Sequence, residues 1–168
     1  MRVDNAGVGI EVAVDGPADG PPVVVLHGIS SSTATYDFLP AELPDHRLYR
    51  VDFRGHGRSD RAPGRYDLDG YASDAEAVLR EVGPTVLVGH SLGGITAAFV
   101  AQRHPELVTG VFLEDPPLYF GEPGVYEQTP FAQVFPLIQA AVVAWQAEGV
   151  APEVITEAMA SSPSLSGQ

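Results

Sequence analysis

Apolar residues alternate along the start of the chain and then change period. Val8, Ile10, Val12 and Val14 recur every second residue, which predicts a half-buried antiparallel strand after a turn at Asn5-Ala6-Gly7. A loop rich in Pro and Gly follows at 15–22. Residues 23–26, "VVVL", are apolar throughout, the pattern of a parallel strand covered on both faces. Three further strands are predicted at 47–53 ("RLYRVDF"), 85–88 ("TVLV") and 110–113 ("GVFL"). Between them, from Tyr71, the apolar positions Ala75, Val78, Leu79 and Val82 fall on one helix face, and Gly83-Pro84 stops that helix. A second helix runs through "ITAAFVAQRH" and ends before Pro105. Strands alternating with helices imply right-handed β-α-β crossovers: an α/β fold with a mostly parallel sheet and flanking helices.

After Pro117 the pattern changes. Residues 116–130 are irregular, and Phe131, Phe135, Ile138, Val142 and Trp145 then share one face of a helix that Pro136 is placed to kink. Pro152 opens a further helix over 152–160. The predicted division is an α/β core over 1–117 and helices laid over a sheet over 118–168.

Composition narrows the function. A chain of 168 residues supports one sizeable core, and 45% hydrophobic with 18% charged residues is a folded composition. The net charge of −13 arises from 22 acids against 9 bases, which disfavours nucleic acid and anionic membranes as partners. Every base is arginine, so lysine chemistry is excluded. The chain has no cysteine, which rules out disulfides and thiolate chemistry and fits a cytoplasmic location. The first residues alternate and do not resemble a signal peptide, and no apolar run has the length of a membrane span.

Chemistry concentrates at Gly89-His90-Ser91-Leu92-Gly93, a G-x-S-x-G stretch between a strand and a helix. So sharp a turn leaves no room for side chains two residues either side of the serine. Ser91 would stand at a helix N-terminus, where the dipole favours developing negative charge, and the Leu92 N–H can donate to an oxyanion. The five histidines show no metal-ligand spacing, and "GVGIEV" lacks the third glycine of a dinucleotide fingerprint. Neither cofactor nor metal is expected.

Together, "LHGIS" (26–30), "VDFRGHGRSD" (51–60) and "GHSLGG" (89–94) resemble, in order and spacing, the α/β-hydrolase fold superfamily from the first strands to about Pro117. The remainder resembles the start of that family's helical cap. The resemblance implies a Ser91 nucleophile and oxyanion donors at the Ile29 and Leu92 amides. It also implies a site wall of His27, Gly28 and His90, and an architectural role for the loop holding Asp52, Arg54, His56 and Asp60. The implied activity is that of a cofactor-free carboxylesterase- or lactonase-like hydrolase acting on an apolar, ester-like small molecule.

In that family the triad runs Ser, then an acid, then His. Asp115 is the candidate acid. The only histidine after Ser91 is His104, roughly 20 Å away at the far end of the following helix, given a rise of about 1.5 Å per residue. The sequence therefore reads as an α/β hydrolase that stops before the last strands and the histidine. The alternatives are a non-catalytic binding chain on the same fold, or a chain completed by another that supplies the histidine. Strand 110–113 would then be an apolar sheet edge open to a second copy or a complementing chain.

Overall fold

The computed structural model describes residues 1–151 together with 154 and 155. Six strands form one sheet in the order β1-β2-β4-β3-β5-β6: β1 (Arg2–Asn5), β2 (Val8–Asp15), β3 (Pro22–Leu26), β4 (Arg47–Val51), β5 (Thr85–His90) and β6 (Val108–Glu114). The last four strands of that order run parallel, while β1 pairs antiparallel with β2 and β2 antiparallel with β4.

The apolar run at 23–26 became the central strand for a physical reason. Val24 and Leu26 pack into the cluster formed with Leu79, Ala97 and Val100, while Val23 and Val25 face Tyr36 and Leu48 on the other side. A strand buried on both faces can carry no polar alternation. Helix α2 (Leu68–Val82) covers the first face with Ala72, Ala75, Val78 and Leu79. It is capped by Asp67, whose side chain accepts from the Gly70 N–H at 2.7 Å, and it ends at Gly83 with φ 85°. Helix α3 (Leu92–Arg103) packs beside it.

Three elements differ from the sequence reading. Strand β1 is absent from it because four residues with one inward apolar side chain, Val3, give no period; the Ala6-Gly7 pair, both at positive φ (53° and 85°), makes it a hairpin with β2. Residues 33–42 hold a 3₁₀ turn (Thr33–Tyr36) and the short helix α1 (Leu39–Glu42). Strand β4 ends at Val51 rather than Phe53, because the Phe53 N–H is taken by a histidine ring, His27 Nε2, at 3.2 Å.

The internal contacts divide the chain into two units, Met1–Leu118 and Tyr119–Gln168. In the second, helix α4 (Phe131–Ala147) contains Pro136, and Phe120, Tyr126, Phe131 and Phe135 form an aromatic cluster with centroid separations of 5.1–5.8 Å. The helix expected over 152–160 lies outside the described residues except for 154 and 155. Among the described residues, no helix is long and apolar enough to cross a membrane.

Candidate active site

Strand β5 hands over to α3 through Ser91, whose backbone sits at φ 50°, ψ −113°. A non-glycine residue there costs roughly 1–3 kcal/mol and persists only where the surroundings hold it. They do. The Ser91 N–H donates to the Glu114 carbonyl at 2.9 Å, and the Ser91 carbonyl accepts from Ile95 N–H at 3.0 Å. A Cβ on Gly89 would collide with the Gly93 carbonyl, and one on Gly93 with the Leu26 carbonyl. The glycine spacing read in the sequence is thus a packing requirement. The Ser91 hydroxyl makes no hydrogen bond to its own helix, nor to a histidine among the described residues.

Two backbone N–H groups have no acceptor among the described residues: that of Leu92, first residue of α3, and that of Ile29, on the loop after β3. That loop passes close. A Cβ on Gly28 would lie 2.8 Å from His90 Nδ1 and 3.4 Å from Ser91 Cβ, so Gly28, His90 and Ser91 are neighbours. Ile29 is half exposed, and Ser30 after it takes a left-handed φ of 62°.

The histidines are placed apart in role. His27, expected as a wall residue, is fully buried. Its Nδ1 donates to the Gly28 carbonyl at 2.7 Å and its Nε2 accepts from Phe53 N–H at 3.2 Å, which defines one neutral tautomer. Desolvation lowers its pKa to about 4, assisted by His56 and outweighing the Gly28 bond and Asp52. It is scaffold beneath the site rather than surface of it. The His56 ring lies 4.9 Å from that of His27, with Nδ1 on the Arg54 carbonyl at 3.0 Å. His104 ends α3, with Nε2 3.4 Å from Glu76 and Nδ1 3.2 Å from Glu106.

Asp115 follows β6 directly and is exposed, with φ 44°. His90 and Glu114 are register partners across β5 and β6, so Asp115 leaves the sheet beside Ser91. The Arg54 and Asp60 ion pairs expected in the 51–60 loop are present, to Asp74 and Arg2 respectively. Asp52 holds the loop through hydrogen bonds, accepting from the backbone amides of Thr33 (2.7 Å) and Arg58 (2.9 Å). Tyr36 was not singled out by sequence, since nothing around it forms a motif. Its hydroxyl pKa is raised by burial and then by the Glu114 carboxylate. No group of three or more His, Asp or Glu side chains among the described residues is arranged to hold a metal.

The model of the alpha/beta hydrolase fold family matches residues 21–164. The chain is 36% identical over 117 residues to the 2-(acetamidomethylene)succinate hydrolase of Mesorhizobium japonicum, covering 68% of this chain and 41% of that protein. It is 34% identical to an sn-1-specific diacylglycerol lipase of Mus musculus, covering 61% and 34%. A solved esterase from Exiguobacterium antarcticum superposes with a TM-score of 0.63 at 29% identity, covering 67% of this chain and 44% of that one. The chain thus spans about two fifths of the length of the curated relative first named. With a mostly parallel sheet, a serine at the strand-to-helix elbow and a family match across most of its length, this chain belongs to the alpha/beta hydrolase fold family.

Proposed function

We propose that the chain carries the nucleophilic part of a cofactor-free serine hydrolase that cleaves ester-like carbonyl compounds through an acyl-enzyme on Ser91. One observation carries this reading: Ser91 holds a positive-φ backbone at the head of α3, its hydroxyl free of the helix, next to the Leu92 amide and the Gly28 loop, where the Leu92 and Ile29 amides have no acceptor among the described residues. The hydroxyl attacks the carbonyl carbon as a base takes its proton. The oxyanion accepts from Ile29 and Leu92 N–H, and collapse expels the alcohol, which recovers the proton. Water then repeats the sequence on the acyl group and frees Ser91. Asp115 is the acid that orients the base, and Gly28 and His90 wall the pocket.

The base is proposed to come from a further segment or chain, because no described histidine, the neighbouring His90 included, hydrogen-bonds the Ser91 hydroxyl. His27 is neutral and bonded on both nitrogens, and His104 is held by Glu76 and Glu106 at the other end of α3. The outer side of edge strand β6 is where a further segment, a complementing chain or a second copy would pair. Phe112 on it is 62% exposed, and no described strand pairs with its outer side. Residues 118–168 are the start of a cap. Relatives named esterase and lipase support an ester substrate. The cysteine-free composition suits the cytoplasm.

The lack of a hydrogen bond between Ser91 and any described histidine favours a second reading, a binding chain that does not turn over. Hydrolysis of a short-chain aryl ester separates them. Turnover that appears when a histidine-bearing strand segment is added, and vanishes in Ser91→Ala, supports the hydrolase. Tight ligand binding without turnover under both conditions supports the binder.

A further inference from the structure

The loop that carries Ile29 is gripped at a point no motif marks. The Thr33 N–H donates to Asp52 Oδ1 at 2.7 Å, and the Thr33 carbonyl accepts from Arg50 Nη1 at 3.0 Å. Both polar groups of one residue are therefore held by side chains from alternate positions at the end of β4. Both side chains are buried, Asp52 at 2% exposure. Neither is free to follow the loop. The second Asp52 oxygen accepts from Arg58 N–H at 2.9 Å, tying the carboxylate to the 53–60 loop. The Arg50 guanidinium is braced by Asp15, at 2.8 Å and 3.1 Å, and by Asp37 at the end of the 3₁₀ turn.

At the near end, Gly28 is packed against His90 and Ser91. Ile29 thus lies between two fixed points five residues apart, with left-handed Ser30 in between. A non-glycine residue at that φ relaxes unless both ends are held. Hydrogen bonds to a buried charge are worth about 1.5–3 kcal/mol each, enough to hold it. A donor displaced by about 1 Å can lose on the order of 10² in rate.

We propose that the Asp52–Thr33–Arg50 clamp sets the position of the Ile29 amide, which makes Asp52 and Arg50 positioning residues for the oxyanion site. The catalytic meaning rests on the reading of Ile29 as an oxyanion donor; the clamp itself is tested without it.

The test is hydrogen exchange on the folded chain, comparing wild type with Asp52→Asn, Arg50→Lys and Thr33→Ala. Asn cannot accept from two amides through both of its side-chain atoms, and Lys is too short to reach Thr33, Asp15 and Asp37 together. Exchange at the hydrogen-bonded amides of this loop, Thr33, Thr35 and Asp37, rises at least about 10-fold in the first two variants, while core amides at Leu87 and Val100 keep their wild-type rates. Thr33→Ala, which leaves the gripped backbone intact, behaves as wild type. Where Ser91 reacts with a fluorophosphonate, the maximal acylation rate falls in both variants at unchanged probe affinity. Loop exchange that stays at the wild-type rate, or that rises only in step with the core, overturns the proposal. So does loss of the fold in both variants, since the clamp would then be a general stabiliser. A wild-type chain inert to the probe but showing the loop-specific exchange would sink the catalytic reading and leave the clamp standing.

Discussion

The Ser91 N–H donates to the carbonyl of Glu114 at 2.9 Å, which ties the serine to the end of the neighbouring strand. The next residue, Asp115, turns away from the ladder at φ 44°. A carboxylate that leaves the sheet one residue after the serine's own backbone partner stands where a triad acid is useful. In the protein completed with its base, Asp115→Asn should lower kcat by about 10⁴ with little change in KM, as expected when an orienting carboxylate is neutralised. Steady-state ester kinetics check this. An unchanged kcat would remove Asp115 from the mechanism.

The elbow tolerates no Cβ. Gly93→Ala would drive a methyl into the Leu26 carbonyl, which belongs to the central strand and cannot yield. It should cost more than about 4 kcal/mol or prevent folding. In Gly110→Ala the new methyl meets Val86 Cγ2 at an ordinary 3.6 Å, and stability should stay within about 1 kcal/mol of wild type. Denaturant unfolding of the pair gives the contrast, and similar losses in both would contradict this packing.

Arg54 and Asp74 are both wholly buried, joined by Nη2–Oδ1 at 2.7 Å and Nε–Oδ2 at 2.9 Å. Asp74 also accepts from Asn5 Nδ2 and from the Arg54 amide, so every lone pair is used. The Asp74 hydrogen bond raises the Arg54 pKa and keeps the guanidinium charged. Asp74→Ala leaves that charge unpaired, and a loss of about 3–5 kcal/mol is expected by equilibrium unfolding. A cost below about 1 kcal/mol would mean water reaches Arg54.

Acid should destabilise the fold through His27. Its folded pKa is lowered from 6.5 to about 4, so between these values the unfolded chain binds a proton that the folded chain refuses. Stability is full above the unfolded pKa and falls as pH drops toward the folded one, by about 2 kcal/mol between pH 7 and pH 5. Asp60, lowered by the Gly9 amide and then Arg2, and Glu106, lowered by its own backbone amide and then His104, add losses of the same sign at lower pH. Unfolding titrations of wild type and His27→Gln should show the slope above pH 5 only in the wild type.

Much of this was legible from sequence because the signals were local. The run at 23–26 could only be a covered strand, and Gly89 and Gly93 mark a turn that glycine alone permits. What escaped depends on partners distant in the chain. Strand β1 exists because β2 pairs with it, and β4 stops at Val51 because His27 takes the Phe53 amide. Asp52 is legible as an architectural residue of its loop, but its partners, the amides of Thr33 and Arg58, are not encoded by a one-dimensional pattern. His27 sits in a motif beside the site, but burial and two hydrogen bonds make it scaffold.

Under the proposed function, Ser91 is displayed with its oxyanion donors while a further segment or chain supplies its base. The most direct measurement is the rate of Ser91 acylation by a fluorophosphonate in the folded chain, at increasing imidazole, with Ser91→Ala as control. Slow, Ser91-dependent labelling that accelerates as free imidazole stands in for the base is expected. Fast labelling indifferent to imidazole would place the base within residues 1–168, and labelling that survives Ser91→Ala would place the nucleophile elsewhere.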